Sequence, residues 1–271
     1  MRRQLEPDAA TAAPVTAAMH ARFTDPLLTD QARLARRVVG VLGGRYSAEL
    51  GIDVDAGDAE IERWFLAATL FGTRISARIA ERAFRVLDEA GLTRIGQARH
   101  MSSEDLVVLL DAGGYARYDF RTATRLQDLS EIIDERYDGQ AAEIGRRYQA
   151  YPALRAALIV LPGWGPVTVQ LFLRELRGAW RGAQPPLDPR AASGGRHLDL
   201  LSTEEGDVGL PDTAQLAIDA GLDVRDLESG LVRLALAHHG MRTPCPGGYQ
   251  CRVLHAAQPA GKGAADPGRG S

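Results

Sequence analysis

Leu161-Pro-Gly-Trp-Gly-Pro-Val-Thr-Val169, followed by Leu187-Asp188-Pro189, is the stretch from which the rest of the chain can be read. Gly163 and Gly165 flank Trp164 between two apolar runs that each read as a helix. Glycine permits a sharp turn and lets a bulky partner approach the peptide N–H groups with no Cβ in the way. Pro166 suits the first position of the second helix, whose free N–H groups and dipole make a natural phosphate site. Binding of this kind reads no base, so it positions nucleic acid without specifying sequence. The same pattern also describes a plain Gly-X-Gly-Pro turn between two core helices. Asp188 has two readings as well. Asp followed by Pro is an ordinary helix start, with Asp as N-cap and Pro in the first position. Yet a helix from Pro166 to near Gly178 is only on the order of 18 Å long at about 1.5 Å per residue. A chain that folds back after it returns Asp188 toward the hairpin end.

Outward from the hairpin the apolar spacing is helical, and no strand or internal repeat is expected. Thr29 or Asp30 caps a helix through Leu42, stopped by Gly43-Gly44. Asp58 caps a longer one that carries Ile61, Trp64, Phe65, Ala68 and Leu70 and ends near Gly72. Ile75 to Ala90 places Ile75, Ile79, Ala83 and Val86 on one face. Ser102 or Ser103 starts an apolar helix stopped by Gly113-Gly114. Arg121 to Tyr137 repeats Leu126, Leu129, Ile132 and Ile133 before Asp138-Gly139. Pro152 to Val160 and Val167 to Leu176 are the arms of the hairpin, and Pro211 to Ala220 and Asp226 to His239 are two more helices. The ends, 1–25 and 258–271, are rich in small residues and proline without periodicity and read as disordered tails. The expected class is all-α.

With 271 residues, 45 % hydrophobic and 25 % charged, the chain can bury a real core. It has no run of eighteen apolar residues, so no membrane partner is expected. No apolar h-region follows Met1-Arg2-Arg3, and a cytoplasmic, monomeric protein is the expectation. A net charge of −3 is not a basic footprint. The positive charge is almost all arginine, with Lys262 the only lysine, and acidic residues crowd 53–62 and 204–212. A locally basic face therefore stays open. Two cysteines, Cys245 and Cys251, are too few for an all-cysteine iron–sulfur site, and a zinc site would need histidines. His238, His239 and His255 are the available ones, but neighbours on a helix point in different directions. They are read as non-ligands, with no metal and no cofactor.

On these residues the chain resembles the helix-hairpin-helix DNA glycosylase superfamily, which includes endonuclease III and the 3-methyladenine glycosylases. The hairpin Leu161–Val169 is similar to that family's Leu-Pro-Gly-Val-Gly-Arg-Lys-Thr-Ala signature. Ala112-Gly-Gly-Tyr-Ala-Arg-Tyr118, continuing to Tyr137-Asp138-Gly139, resembles its Gly-Leu-Tyr helix ending in glycine. Phe65 to Ala80 resembles the early helix that lines the base pocket, and Ala237 to Cys245 the segment that leads into its iron–sulfur cluster. The similarity covers most of residues 27–255. It implies two helical lobes with the substrate base in a cleft between them. One is a six-helix-type lobe, 52–178, containing the helix-hairpin-helix; the other combines 26–51 with 179–257. It also implies double-stranded DNA as partner, with the target nucleotide flipped out because its glycosidic bond cannot be reached in the stack.

By the same resemblance Gly163, Trp164, Gly165, Val167 and Thr168 would bind DNA, and Leu70, Phe71 and Tyr115 would line the base pocket or wedge the duplex. Phe71 and Trp164, near helix ends, are read as DNA contacts, and Trp64 and Phe65 as core. The glutamine with which endonuclease III fills the duplex gap has no clear counterpart near Leu70. Arg117, Arg121, Arg146 and Arg147 either meet phosphates or belong to solvated helix faces. Val167 stands where the family carries a catalytic lysine, whose neutral amine attacks the sugar and forms a Schiff base. Valine cannot do this. Asp188 matches the aspartate of the whole superfamily, which stabilises an oxocarbenium-like sugar and orients or activates water. The expectation is a monofunctional DNA glycosylase of base excision repair, hydrolysing the N-glycosidic bond of a damaged or mispaired base without lyase activity. The alternative is a catalytically inactive DNA-binding protein of the same fold.

Overall fold

A computed structural model of the chain describes residues 28–72, 75–115, 118–202 and 209–256. The expected tails, 1–25 and 258–271, and the phosphate candidate Arg117 lie outside the described residues. Within them, regular structure is helical throughout, with one isolated bridge between Arg177 and Trp180. In chain order the elements are α1 (Asp30–Leu42), α2 (Tyr46–Glu49), α3 (Asp58–Phe71), α4 (Ala77–Glu89), a 3₁₀ turn (Ile95–His100), α5 (Ser103–Ala112) and α6 (Asp119–Tyr137). After these come α7 (Ala142–Arg147), α8 (Tyr151–Ile159), α9 (Pro166–Glu175), α10 (Pro189–His197), α11 (Leu210–Ala220), α12 (Val224–His239), a second 3₁₀ turn (Gly248–Gln250) and α13 (Arg252–Ala256). The all-α expectation holds. No helix of the described residues is long and apolar enough to cross a membrane.

Local chemistry sets most of these boundaries. The Thr29 hydroxyl accepts the Ala32 N–H at the start of α1, and Ser102 accepts the Asp105 N–H at the start of α5. Gly43 ends α1 at φ 89°, and Asp138 ends α6 in the left-handed region at φ 53°. Asp58 is not the cap of α3 as the sequence suggested: Gly57 holds that position, and Asp58 opens the first turn.

Two hydrophobic cores form. The first gathers α2 to α9 around Trp64, Phe65, Phe84, Ile133, Leu158, Trp164 and Phe172. Its centre is aromatic: Trp164 stacks on Phe65 at 4.4 Å, and Phe172 meets both rings edge-on at 5.5 and 5.1 Å. Burying side chains of this size contributes roughly 1.5–3 kcal/mol apiece. Tyr46 and Leu50 on one side, and Trp180 and Ala183 on the other, also pack into this core. It thus reaches a few residues beyond 52–178 at both ends. The second core joins α1 to α10, α11, α12 and α13 through Leu34, Val38, Ala191, Leu216, Leu231 and Leu254. There α10 crosses α12 so closely that a Cβ on Gly194 would run into the Leu231 carbonyl.

Candidate nucleic-acid interface and a buried carboxylate

The segment between α8 and α9 makes a tight, solvent-facing turn. Gly163 is exposed and adopts φ 79°, a conformation that favours glycine, and any Cβ there would also run into the Arg125 side chain. Gly165 is the N-cap of α9 and offers no side-chain cap; a Cβ on it would meet open space. The first N–H groups of α9 consequently lack an intrahelical acceptor and point outward with the positive end of the helix dipole. Val167, 56 % exposed, and Val160, 66 % exposed, stand on either side of the turn. Arg125 lies beneath it. Burial first, and the nearby Arg121 as well, pull its guanidinium below the ordinary arginine value, and no carboxylate contributes. The turn therefore combines free N–H donors with local positive charge on a chain whose net charge is −3.

Other arginines are committed elsewhere. Arg146 pairs with Glu143 at 2.7 Å and with Asp58, and Arg147 with Glu143 at 3.0 Å and Asp138 at 3.1 Å. Their charge is met locally, which fits a solvated helix face and not a phosphate contact.

Several expected contacts turn out to be packing. Trp164 is 3 % exposed, with its indole N–H donating to Thr69 Oγ1 at 3.1 Å, so its ring supports the turn from inside instead of meeting DNA. Leu70 is fully buried, and its carbonyl accepts the hydroxyl of Tyr115, itself 1 % exposed, at 2.8 Å. Neither can wedge a duplex. Phe71 is half-buried against Tyr46, ring centroids 5.2 Å apart. The Thr168 side chain is buried against Gly72, leaving only its backbone for a partner. Trp64 and Phe65 are core, as read from the sequence.

Asp188 caps α10: its Oδ1 accepts the Arg190 N–H at 2.8 Å. It is also part of a buried set of charges. The Asp188 N–H donates to Glu228 Oε1 at 3.0 Å, while Oδ2 lies 3.6 Å from Arg174 Nη1. Arg177 Nη2 donates to Glu228 Oε2 at 2.8 Å, and its Nη1 to the Pro185 carbonyl. Burial pushes the Glu228 carboxyl up and the Arg177 guanidinium down, each opposed by the other's charge. Asp188 is only 6 % exposed. The geometry bears out the cap reading of this residue, and it sets the carboxylate among paired charges at the junction of the two cores.

A second buried carboxylate, Glu62 on α3, adjoins a cleft of about 440 Å³ with Asp58, Arg94, Gln97 and Gln140 on its walls. Glu62 accepts the Ala142 N–H at 2.8 Å, its Oε2 has no partner, and burial raises its carboxyl to about 7. Sequence reasoning passed over it, because a lone glutamate in a helix carries no signal of burial.

Of the metal candidates, His238, Cys245 and Cys251 converge, joined by His197 at the end of α10, which the sequence did not single out. His239 and His255 stay exposed. Two sulfurs and two imidazoles do not fit the four-cysteine cluster of the resembled superfamily. The chain matches no protein-family model, and comparison with curated proteins yields no match either.

Proposed function

We propose that the chain is a helix-hairpin-helix protein that binds the backbone of double-stranded DNA through Gly163–Thr168 and acts as a monofunctional DNA N-glycosylase with Asp188 as its carboxylate. The observation that carries the reading is the return of the chain along α9. Gln170 Nε2 donates to the Pro186 carbonyl at 2.8 Å, and Arg174 faces Asp188, so the carboxylate lies beside the same helix whose N-terminus is the turn. From Pro166 to Arg174 that helix rises roughly 12 Å. On this reading, a backbone held at the turn would bring a nucleotide toward Asp188.

The chemistry follows from the charge. Breaking the C1′–N bond leaves positive charge on the sugar, which a fixed carboxylate at low local dielectric stabilises. Asp188 is oriented by Arg190 N–H through Oδ1, and Oδ2, 3.6 Å from Arg174 Nη1, is the oxygen that would turn from that guanidinium to the sugar or to water. Water attacks C1′, the base departs with the bonding electrons, and the proton of the water passes to the carboxylate. Val167 offers no amine, so the sugar stays uncleaved.

A second reading is favoured by one specific observation, the burial of Asp188 together with Leu70, Tyr115 and Trp164. It is DNA binding without chemistry. Incubating the full chain with duplexes carrying alkylated, oxidised, deaminated or mismatched bases separates the two. Base release that Asp188→Asn abolishes, with DNA affinity unchanged, supports the enzyme; affinity without release from any duplex supports the silent binder. Gly165→Glu, placed in open space, is expected to lower affinity at least about tenfold, and binding should weaken with salt. No affinity at low salt would overturn both readings.

A further inference from the structure

His197 at the end of α10, His238 near the end of α12, and Cys245 and Cys251 in the segment that follows bring one donor atom each to within 4.8 Å of one another. We propose that these four residues form a closed, tetrahedral site for one zinc ion that staples the C-terminal segment onto the second core. Nothing in this inference depends on DNA binding or base release.

The distances point to a single ion. With Zn–S near 2.3 Å and Zn–N near 2.0–2.1 Å, tetrahedral geometry puts two sulfurs about 3.8 Å apart, and a sulfur and a nitrogen about 3.6 Å apart. Here Cys245 Sγ and Cys251 Sγ are 3.8 Å apart, and Cys251 Sγ and His238 Nε2 are 3.5 Å apart. Both cysteines are free thiols. A two-iron cluster with mixed ligands would keep its cysteines and histidines on separate irons, farther apart than this sulfur–nitrogen distance allows.

The surroundings prepare the donors for a cation. His238 Nδ1 is 2.8 Å from the Leu234 carbonyl, which can only accept; Nδ1 therefore carries the proton and Nε2 presents its lone pair to the site. The Arg252 N–H donates to Cys245 Sγ at 3.2 Å, which favours the thiolate. His197 Nε2 is buried with no hydrogen-bond partner, a cost that coordination through this nitrogen would remove. The two imidazoles sit with centroids 4.2 Å apart and their planes tilted by 57°. Gly247, at φ 78°, lets the Cys245–Cys251 loop close over them, since a side chain there would run into the His197 carbonyl. A cleft of about 560 Å³ lined by His197, His238 and Cys245 gives an ion a route in.

Two sulfur and two nitrogen donors in this geometry select zinc over hard cations. Four protein donors leave no open position, so the ion is structural and not catalytic. Neighbouring histidines on α12 do point apart, as expected from helix geometry; the second imidazole comes from α10, some forty residues earlier in the chain.

The test is metal content and cobalt substitution in the full, untagged chain. About one zinc per chain is expected after purification without added metal. Co²⁺ should restore a one-to-one complex with intense visible bands of tetrahedral cobalt and a sulfur-to-cobalt charge-transfer band. Cys251→Ser and His197→Ala should each weaken Co²⁺ binding by more than about 100-fold. A wild-type chain that takes up no stoichiometric Zn²⁺ or Co²⁺ overturns the proposal. So does a cobalt complex without the charge-transfer band, or an intact mass two hydrogens short that reports a Cys245–Cys251 disulfide. Should either variant fail to fold, the wild-type cobalt spectrum decides alone.

Discussion

A carboxylate taken out of water costs free energy unless a cation or hydrogen-bond donors meet it. Among the described residues four are buried: Glu62, Glu175, Asp188 and Glu228. The last three have an arginine or several N–H groups turned toward them. Glu62 has the Ala142 N–H on one oxygen and nothing on the other. Burial therefore dominates, and its carboxyl rises from 4.5 to about 7. Between those values the folded chain keeps a proton that the unfolded chain has released, so stability falls as pH climbs through that window. Above it the ionised carboxylate carries the full penalty. Glu62→Gln keeps an oxygen for the Ala142 N–H and removes the charge. Urea unfolding should find the variant more stable at pH 8, by up to on the order of 3 kcal/mol, and equal to wild type at pH 4. Equal stability at both pH values would mean that water reaches Oε2.

At the scale of elements, the helices with sustained apolar spacing and a capping residue were legible: α1, α3, α4, α5, α6, α8, α9, α11 and α12 fall within a few residues of their expected bounds. Those that escaped are short or disguised. α2 has four residues and α7 six, too few to show a period. The sequence of α10, Pro189-Arg-Ala-Ala-Ser-Gly-Gly-Arg-His197, offers an Asp-Pro start and then two glycines that argue against a helix. The structure reverses that argument. Gly194 is in α10 because α12 passes too close for a side chain, a tertiary reason invisible in local propensity. Gly194→Ala gains up to about 1 kcal/mol of helix propensity and loses the crossing. The expected net result is a destabilisation of at least about 2 kcal/mol, measured by urea denaturation. Gly165→Ala, in open space at the N-cap of α9, should cost no more than about 1 kcal/mol. The site was legible in the same uneven way. The turn itself, with Gly163, Gly165 and an exposed Val167 between two helices, was readable as geometry; the inward packing of Trp164 and Tyr115 was not, since an aromatic near a helix end looks the same packed inward or outward.

For the molecule as a whole, the seam between the cores is the part that sequence patterning could not supply. Its partners lie far apart in the chain. Arg225 of α12 donates to the Glu175 carbonyl at 3.2 Å and reaches Asp55 across 170 residues. Burial works against the charge of Arg225, yet its bonds to Asp55 and Asp223 more than offset this and hold the guanidinium above its ordinary value. Arg45 adds a bond of 3.0 Å to Asp226. A seam built from paired charges has a distinctive failure. Removing one partner strands the other, whereas neutralising both can cost little. Arg177→Met leaves Glu228 with the Asp188 N–H and only the more distant charge of Arg174, and is expected to cost about 3–5 kcal/mol. Glu228→Gln keeps an acceptor for that N–H, and adding it to Arg177→Met should return roughly 1–3 kcal/mol of the loss. Equilibrium unfolding of the single and double variants measures this coupling. If the double variant loses as much as the two single losses combined, the seam is held by packing and not by charge. Asp188 would then rest on a surface that does not depend on its ionic neighbours. A measured coupling of the expected size would instead tie the orientation of Asp188 to the contact between the two cores, which is where a nucleotide bound at the turn would have to reach it.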